Sequence, residues 1–94
     1  MAKLTGQVVS VSESGDCVTD IKVSDLANVP RDESVSIKCE GHATAGIFPL
    51  EHGQPEMTFI AREGGGGCVE LSLVGDNASR FLGIKVGSSV VLAW

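Results

Sequence analysis

Apolar and polar residues alternate with period two along most of the chain, the signature of strands with one buried face. In residues 34–39, SVSIKC, the pattern puts Val35, Ile37 and Cys39 on one side and Ser34, Ser36 and Lys38 on the other. Residues 6–12 and 17–23 read as a hairpin around a polar turn in which Gly15 is free to take a positive φ. Residues 57–63 and 68–74 read as a second hairpin joined by the tetraglycine 64–67, with Val69, Leu71 and Leu73 on the core face. A short strand falls near residues 42–48, before the breaker-rich 49–55, and a last one in 89–94 aligns Val90, Leu92 and Trp94.

One segment departs from this period. In GDNASRFLG, Asp76 or Asn77 is suited to cap a helix, Ala78 through Leu82 form a turn or two, and Gly83 ends it. Phe81 and Leu82 are then expected to plug one end of the core. The prediction is an all-β fold: a small, mostly antiparallel barrel or sandwich of five to seven short strands, with one short helix near residues 77–82, as a single domain over 1–94.

At 94 residues the chain has room for one small core. Its 43% hydrophobic and 20% charged content is that of a folding domain. A net charge of −5, seven scattered basic residues and four aromatics argue against a nucleic-acid binder, which needs a basic face and stacking platforms. No apolar run is long enough for a membrane helix and the N-terminus lacks a signal-peptide pattern, so the expected location is the cytoplasm, with no membrane partner. The odd set of Cys17, Cys39 and Cys68 fits reduced thiols packed as small apolar residues.

Candidate chemistry is sparse. The tetraglycine reads as a flexible hairpin turn. Its alternative is an anion-cradling nest in which Gly66 and Gly67 supply amides and Arg62 adds charge for a carboxylate or phosphate, although the Lys-Ser/Thr and the helix of a P-loop are missing. Cys39, His42 and His52 lack a fourth partner for zinc, so both histidines read as surface or loop residues and no metal is expected. No cysteine, histidine and carboxylate set is legible for covalent catalysis. Asp16 and Asp20, four residues apart, read as turn-capping rather than as an acid–base pair.

These two aspartates belong to a larger frame. Residues 6–21, GQVVSVSESGDCVTDI, resemble the opening of the C-terminal domain of the S-adenosyl-L-methionine hydroxide adenosyltransferases, relatives of the fluorinating and chlorinating enzymes. There a strand leads into Asp-x-Phe-Gly-Asn-x-x-Thr-Asn-Ile; here Gly15, Thr19 and Ile21 are kept, Ser14 replaces Phe, and Asp16 and Asp20 replace both Asn. Residues 67–92 are similar to the closing segment of that domain through Gly67, Val69, Glu70, Leu71, Ala78, Leu82, Gly83, Val86 and Gly87.

The resemblance implies a barrel-like domain that, in those enzymes, assembles as trimers and meets S-adenosylmethionine at a subunit boundary. Residues directing water or halide come largely from a larger N-terminal domain. The 94 residues match only the smaller domain, so hydrolysis by this chain alone is not expected, and no cofactor is required. The expected function is non-catalytic binding of an adenosine- or S-adenosylmethionine-like molecule at a degenerate site made by Asp16, Arg62, Gly66, Gly67, Asn77 and Ala78. A carboxylate at position 16 accepts where an amide would both donate and accept. Two alternatives stand beside it: a structural or interaction module that has lost the site, and a partner subunit of a separately encoded catalytic domain.

Overall fold

A computed structural model describes residues 2–49 and 53–94, and it is all-β with one short helix. The strands are β1 (Lys3–Val11), β2 (Cys17–Lys22), β3 (Ser36–Cys39), β4 (His42–Ala45), β5 (Ile47–Phe48), β6 (Phe59–Glu63), β7 (Cys68–Leu73) and β8 (Ser89–Ala93). A 3₁₀ turn, Val23–Leu26, follows β2, and α1 (Ala78–Leu82) precedes β8. The eight strands among the described residues exceed the expected five to seven, because β1–β2, β6–β7 and the single strands are joined by a pair, β4 and β5, too short to separate by pattern. None of the described helices is long and apolar enough to cross a membrane.

The sheet runs β4-β3-β8-β1-β2-β7-β6-β5. Every pairing is antiparallel except β5 with β6, which is parallel. Its two ends meet: β4 and β5 are consecutive through Gly46, and Thr44 Oγ1 donates to the carbonyl of Phe59 at 2.9 Å, tying β4 to β6. The result is a nearly closed barrel, which protects the edges an open sheet would expose.

Closure needs β1 to bend. Its residues 3–7 pair with β8 and its residues 8–11 with β2, and the register shifts between Val8 and Ser10. Near this bend the amide of Gln7 donates to Asp20 Oδ1 at 2.9 Å, so Asp20 takes up a strand amide instead of working beside Asp16. A second shift lies between Val18 and Lys22 in the β2–β7 ladder. There Thr19, fully buried, donates from Oγ1 to the carbonyl of Val69 at 2.6 Å and accepts from the Ile21 amide at 3.2 Å. Its hydroxyl stands in for ladder bonds that the bulge removes.

Inward positions follow the predicted alternation. Val35, Ile37 and Cys39, then Val69, Leu71 and Leu73, and Val90 with Leu92 all pack in one core with Val8, Cys17 and Ile21. Trp94 is partly buried against it. Truncating a fully buried member such as Leu71 to Ala should cost about 2–5 kcal/mol. The expectation for Phe81 fails: it is 62% exposed, because α1 turns Ala78 inward and leaves Leu82 only partly covered, and Ile84, beyond the helix, fills the place instead. Asn77 is the cap of α1, its Oδ1 accepting from the Arg80 amide at 2.8 Å, and Gly83 ends the helix at φ 74°.

Candidate functional site

The site is built on the outer face of β2, β6 and β7. In β7, Val69, Leu71 and Leu73 point into the barrel, which leaves Glu70 and Ser72 outward. Register sets Glu70 opposite both Arg62 of β6 and Val18 of β2. The same ladder aligns Cys17 with Leu71, and one step further brings Asp16 to Ser72. Four polar side chains from two strands and a turn thus meet without any side chain leaving its normal direction.

Asp16 is the hub. Its Oδ2 accepts from Arg62 Nη2 at 2.7 Å and from Ser14 Oγ at 3.2 Å, and its Oδ1 accepts from Ser72 Oγ at 2.8 Å. The same Arg62 Nη2 donates to Glu70 Oε1 at 2.9 Å. Arg62, Asp16 and Glu70 side chains are 15–16% exposed, so the charges are largely withdrawn from water. Arg62 Nε is buried without a hydrogen-bond partner among the described residues. The Glu70 carboxylate meets the guanidinium through one oxygen only; the other lies over Gly64, where an added Cβ would sit 2.1 Å from Oε2.

The turn that presents Asp16 is held at both ends. Ser12 receives the amides of Gly15 and Asp16 on its carbonyl and hydroxyl, and donates its own amide to the Asp16 carbonyl. Gly15 has φ 88°, and a Cβ there would fall 2.1 Å from Asn77 Oδ1. The Ser79 amide donates to the Gly15 carbonyl at 3.0 Å. Only glycine allows the first hairpin and the entrance of α1 to come this close.

Their meeting leaves an open cleft of about 420 Å³ lined by Asp16, Arg62, Ser72, Asp76 and Asn77, among others. Asp16, Arg62 and Asn77 of the sequence-predicted set are therefore gathered in one place. Gly66 and Gly67 are not: they lie in the β6–β7 turn, away from the cleft lining, where the Gly67 amide donates back to the Gly64 carbonyl and the Gly67 carbonyl accepts from Val23. Ala78 is fully buried, so its side chain faces the core. Nor does Arg62 have free charge for a carboxylate or phosphate, since two carboxylates already share one of its nitrogens.

Glu70, Ser72 and Ser14 complete the cluster and were missed by the sequence reading. Glu70 and Ser72 are signalled by the outward register of strands far apart in sequence, which no local pattern carries, whereas Ser14 sits two residues before Asp16 in the same turn. Counting Asp16, Glu70 and Asp76 against Arg62, the cleft and its wall have a net charge of −2. The positions shared with the adenosyltransferase frame serve the fold: Gly15 permits the close approach, Thr19 mends the bulge and Ile21 is in the core. Ser14 and Asp16, which face the cleft, both depart from that frame, as does Asp20, which lies outside the cleft lining and accepts from the Gln7 amide.

The remaining candidates lie elsewhere. Cys39 is in the core, and His42 in β4 pairs its Nε2 with the carbonyl of Leu82 at 3.1 Å; His52 lies outside the described residues. Cys17 and Cys39 are buried thiols. Desolvation, reinforced by Cys39 and then Asp16, pushes Cys17 up to about 11, and desolvation followed by the Glu40 charge does the same for Cys39. Cys68 is half-buried.

No protein-family model matches the sequence. No curated protein matches it either. Among solved structures, the chain is similar to an uncharacterised conserved protein from Thermotoga maritima, with a TM-score of 0.79 and 16% identity over 96% of this chain and 35% of that one. It is also similar to a conserved hypothetical protein from Thermus thermophilus, with a TM-score of 0.75 and 20% identity over 95% of this chain and 34% of that one. These likenesses establish the barrel fold. The chain spans about a third of the length of both proteins.

Proposed function

We propose that this domain is a non-catalytic binding module whose ligand, of the adenosine or S-adenosylmethionine class, enters the cleft beside Asp16. The observation that carries the reading is the convergence of Asp16, Arg62 and Asn77, from three distant segments, on one cavity of about 420 Å³. That volume falls in the range of roughly 300–1,000 Å³ common to small-molecule sites. The ligand class comes from the resemblance to the hydroxide adenosyltransferase domain. A non-catalytic role is supported by the thiols of Cys17 and Cys39, which burial keeps protonated at neutral pH and therefore poor nucleophiles.

A second reading, an interaction module, is favoured by a separate observation. Phe81 and Val86, at and just beyond α1, are 62% and 60% exposed, apolar surface that a partner could cover. In both solved neighbours the same fold is about a third of a longer chain, which supports a domain that works beside other polypeptide. Assembly with itself, as a trimer by resemblance, or with a separately encoded catalytic domain belongs to this reading. A cytoplasmic setting suits the three free thiols.

Isothermal titration calorimetry with adenosine and with S-adenosylmethionine tests the first reading. Saturable heat is expected, and silence from both ligands at about 1 mM, the weak end of useful affinity, would reject it.

A further inference from the structure

We propose that two copies of this chain pair about a two-fold axis, the apolar patch beside α1 of each copy resting on the Asp16 cleft of the other. The inference rests on the interaction-module reading and names the partner and the two surfaces that meet. Among the described residues four large apolar side chains are exposed, and the backbone gathers three of them, Val9, Phe81 and Val86. Val86 is in the turn 85–88, which the Ser88 amide closes by donating to the Lys85 carbonyl at 3.0 Å. The Gly87 amide of that turn donates to the Val8 carbonyl at 2.8 Å, which sets the turn alongside Val8 and Val9. Val8 points into the core, so Val9 points outward. Ser79 of α1 donates from Oγ to the Ile84 carbonyl, holding the helix that carries Phe81 against the approach to the same turn.

Charge selects what covers this patch. Arg80 and Lys85 flank Phe81 and Val86, both are exposed, and neither has a carboxylate partner among the described residues. No acidic residue stands in 80–87, so the patch is +2 in a chain of net charge −5, and its complement is a surface both apolar and acidic. This chain carries one. The cleft and its wall are net −2, Asp76 there is exposed, Leu73 and Val74 add apolar lining, and a volume of about 420 Å³ has room for the Phe81 ring. Patch and cleft sit at opposite ends of α1, whose five residues span about 7.5 Å. Neighbouring surfaces of opposite sign suit an isologous pair, in which each contact is made twice and the assembly closes. Patch on patch would set Arg80 and Lys85 against their own copies, a like-charge contact that costs affinity. Screening confines charge effects to about 8 Å at physiological ionic strength, so the local match outweighs repulsion between two acidic chains.

The test is sedimentation velocity of the unaltered protein at concentrations from micromolar to about 1 mM. A reversible monomer–dimer equilibrium is expected, weakened at least about tenfold by Phe81→Ser with the circular dichroism spectrum unchanged. Asp76→Lys and Arg80→Glu/Lys85→Glu should each weaken the dimer. Mixing those two variants should give a heterodimer at least about tenfold tighter than the Arg80→Glu/Lys85→Glu homodimer, since one native contact returns and the other loses its repulsion. A monomer at every concentration, or a trimer or longer assembly, would overturn the two-fold pairing. A dimer indifferent to Phe81→Ser or to the charge exchange would overturn these surfaces and leave self-assembly standing. Adenosine binding by a chain that stays monomeric would overturn the pairing and leave the ligand site standing.

Discussion

Replacing Arg62 by Met should destabilise the domain by about 2–3 kcal/mol. The guanidinium makes two short contacts, 2.7 Å to Asp16 and 2.9 Å to Glu70, from a position 16% exposed. Fully buried pairs cost about 3–5 kcal/mol when one partner is removed, and exposed pairs about 0–1 kcal/mol. The partial screening here sets the expectation between those limits and nearer the upper one, since two carboxylates are left without a counterion. For a domain of this size that corresponds to a fall in Tm of roughly 10–20 °C. Urea denaturation at neutral pH gives the free energy, and calorimetry gives the Tm. A double-mutant cycle with Asp16→Asn should return a coupling of about 1 kcal/mol or more, because the two side chains are in direct contact. A loss below about 0.5 kcal/mol with no coupling would show that the cluster is an ordinary solvated surface and would refute its assignment as a fixed, charge-organised wall.

Other expectations follow from single features of the fold. Gly15→Ala should cost at least about 2 kcal/mol and disturb amide signals of Asn77, since both the positive φ and the space are denied to a methyl group. Thr19→Val keeps the shape but strips the hydroxyl that serves Val69 and Ile21, for a loss of about 1–3 kcal/mol by denaturant titration. Cys17 and Cys39 bring a pH dependence: below pH 9 both states keep their protons, while above it the unfolded chain releases them and the folded one resists to about 11. Stability should therefore fall as pH rises from 9 to 11, and Cys17→Ala/Cys39→Ala should flatten that slope. At pH 8, a thiol reagent should label Cys68 quickly and the other two at the rate of unfolding. Phe81→Ser should leave stability within about 0.5 kcal/mol, and any change in sedimentation would report an assembly role for α1.

Much of the architecture was legible because each strand carries its own period. The inward set of β3 and β7, the cap at Asn77 and the positive φ of Gly15 are local facts that a few neighbouring residues determine. The two-residue β5 was not legible, since its parallel pairing with β6 depends on where the barrel closes. Phe81 misled for a related reason: an apolar residue on a helix of five residues has no long stripe to fix its face. The candidate site was half visible. Asp16 and Asn77 entered the expected site through the family resemblance, their local chemistry reading only as caps, but Ser72 enters through the register between β2 and β7, which brings it to Asp16 across 56 positions of sequence. The role of Arg62 changed for the same reason, because its two carboxylate partners come from different elements.

The most direct test of the central claim is a ¹H–¹⁵N correlation spectrum recorded during titration with adenosine. Shifts confined to Ser14, Asp16, Arg62 and residues 72–77 are predicted, saturating together as one site fills. A spectrum that stays unchanged, or shifts centred on the tetraglycine turn at 64–67, would contradict a ligand site at Asp16.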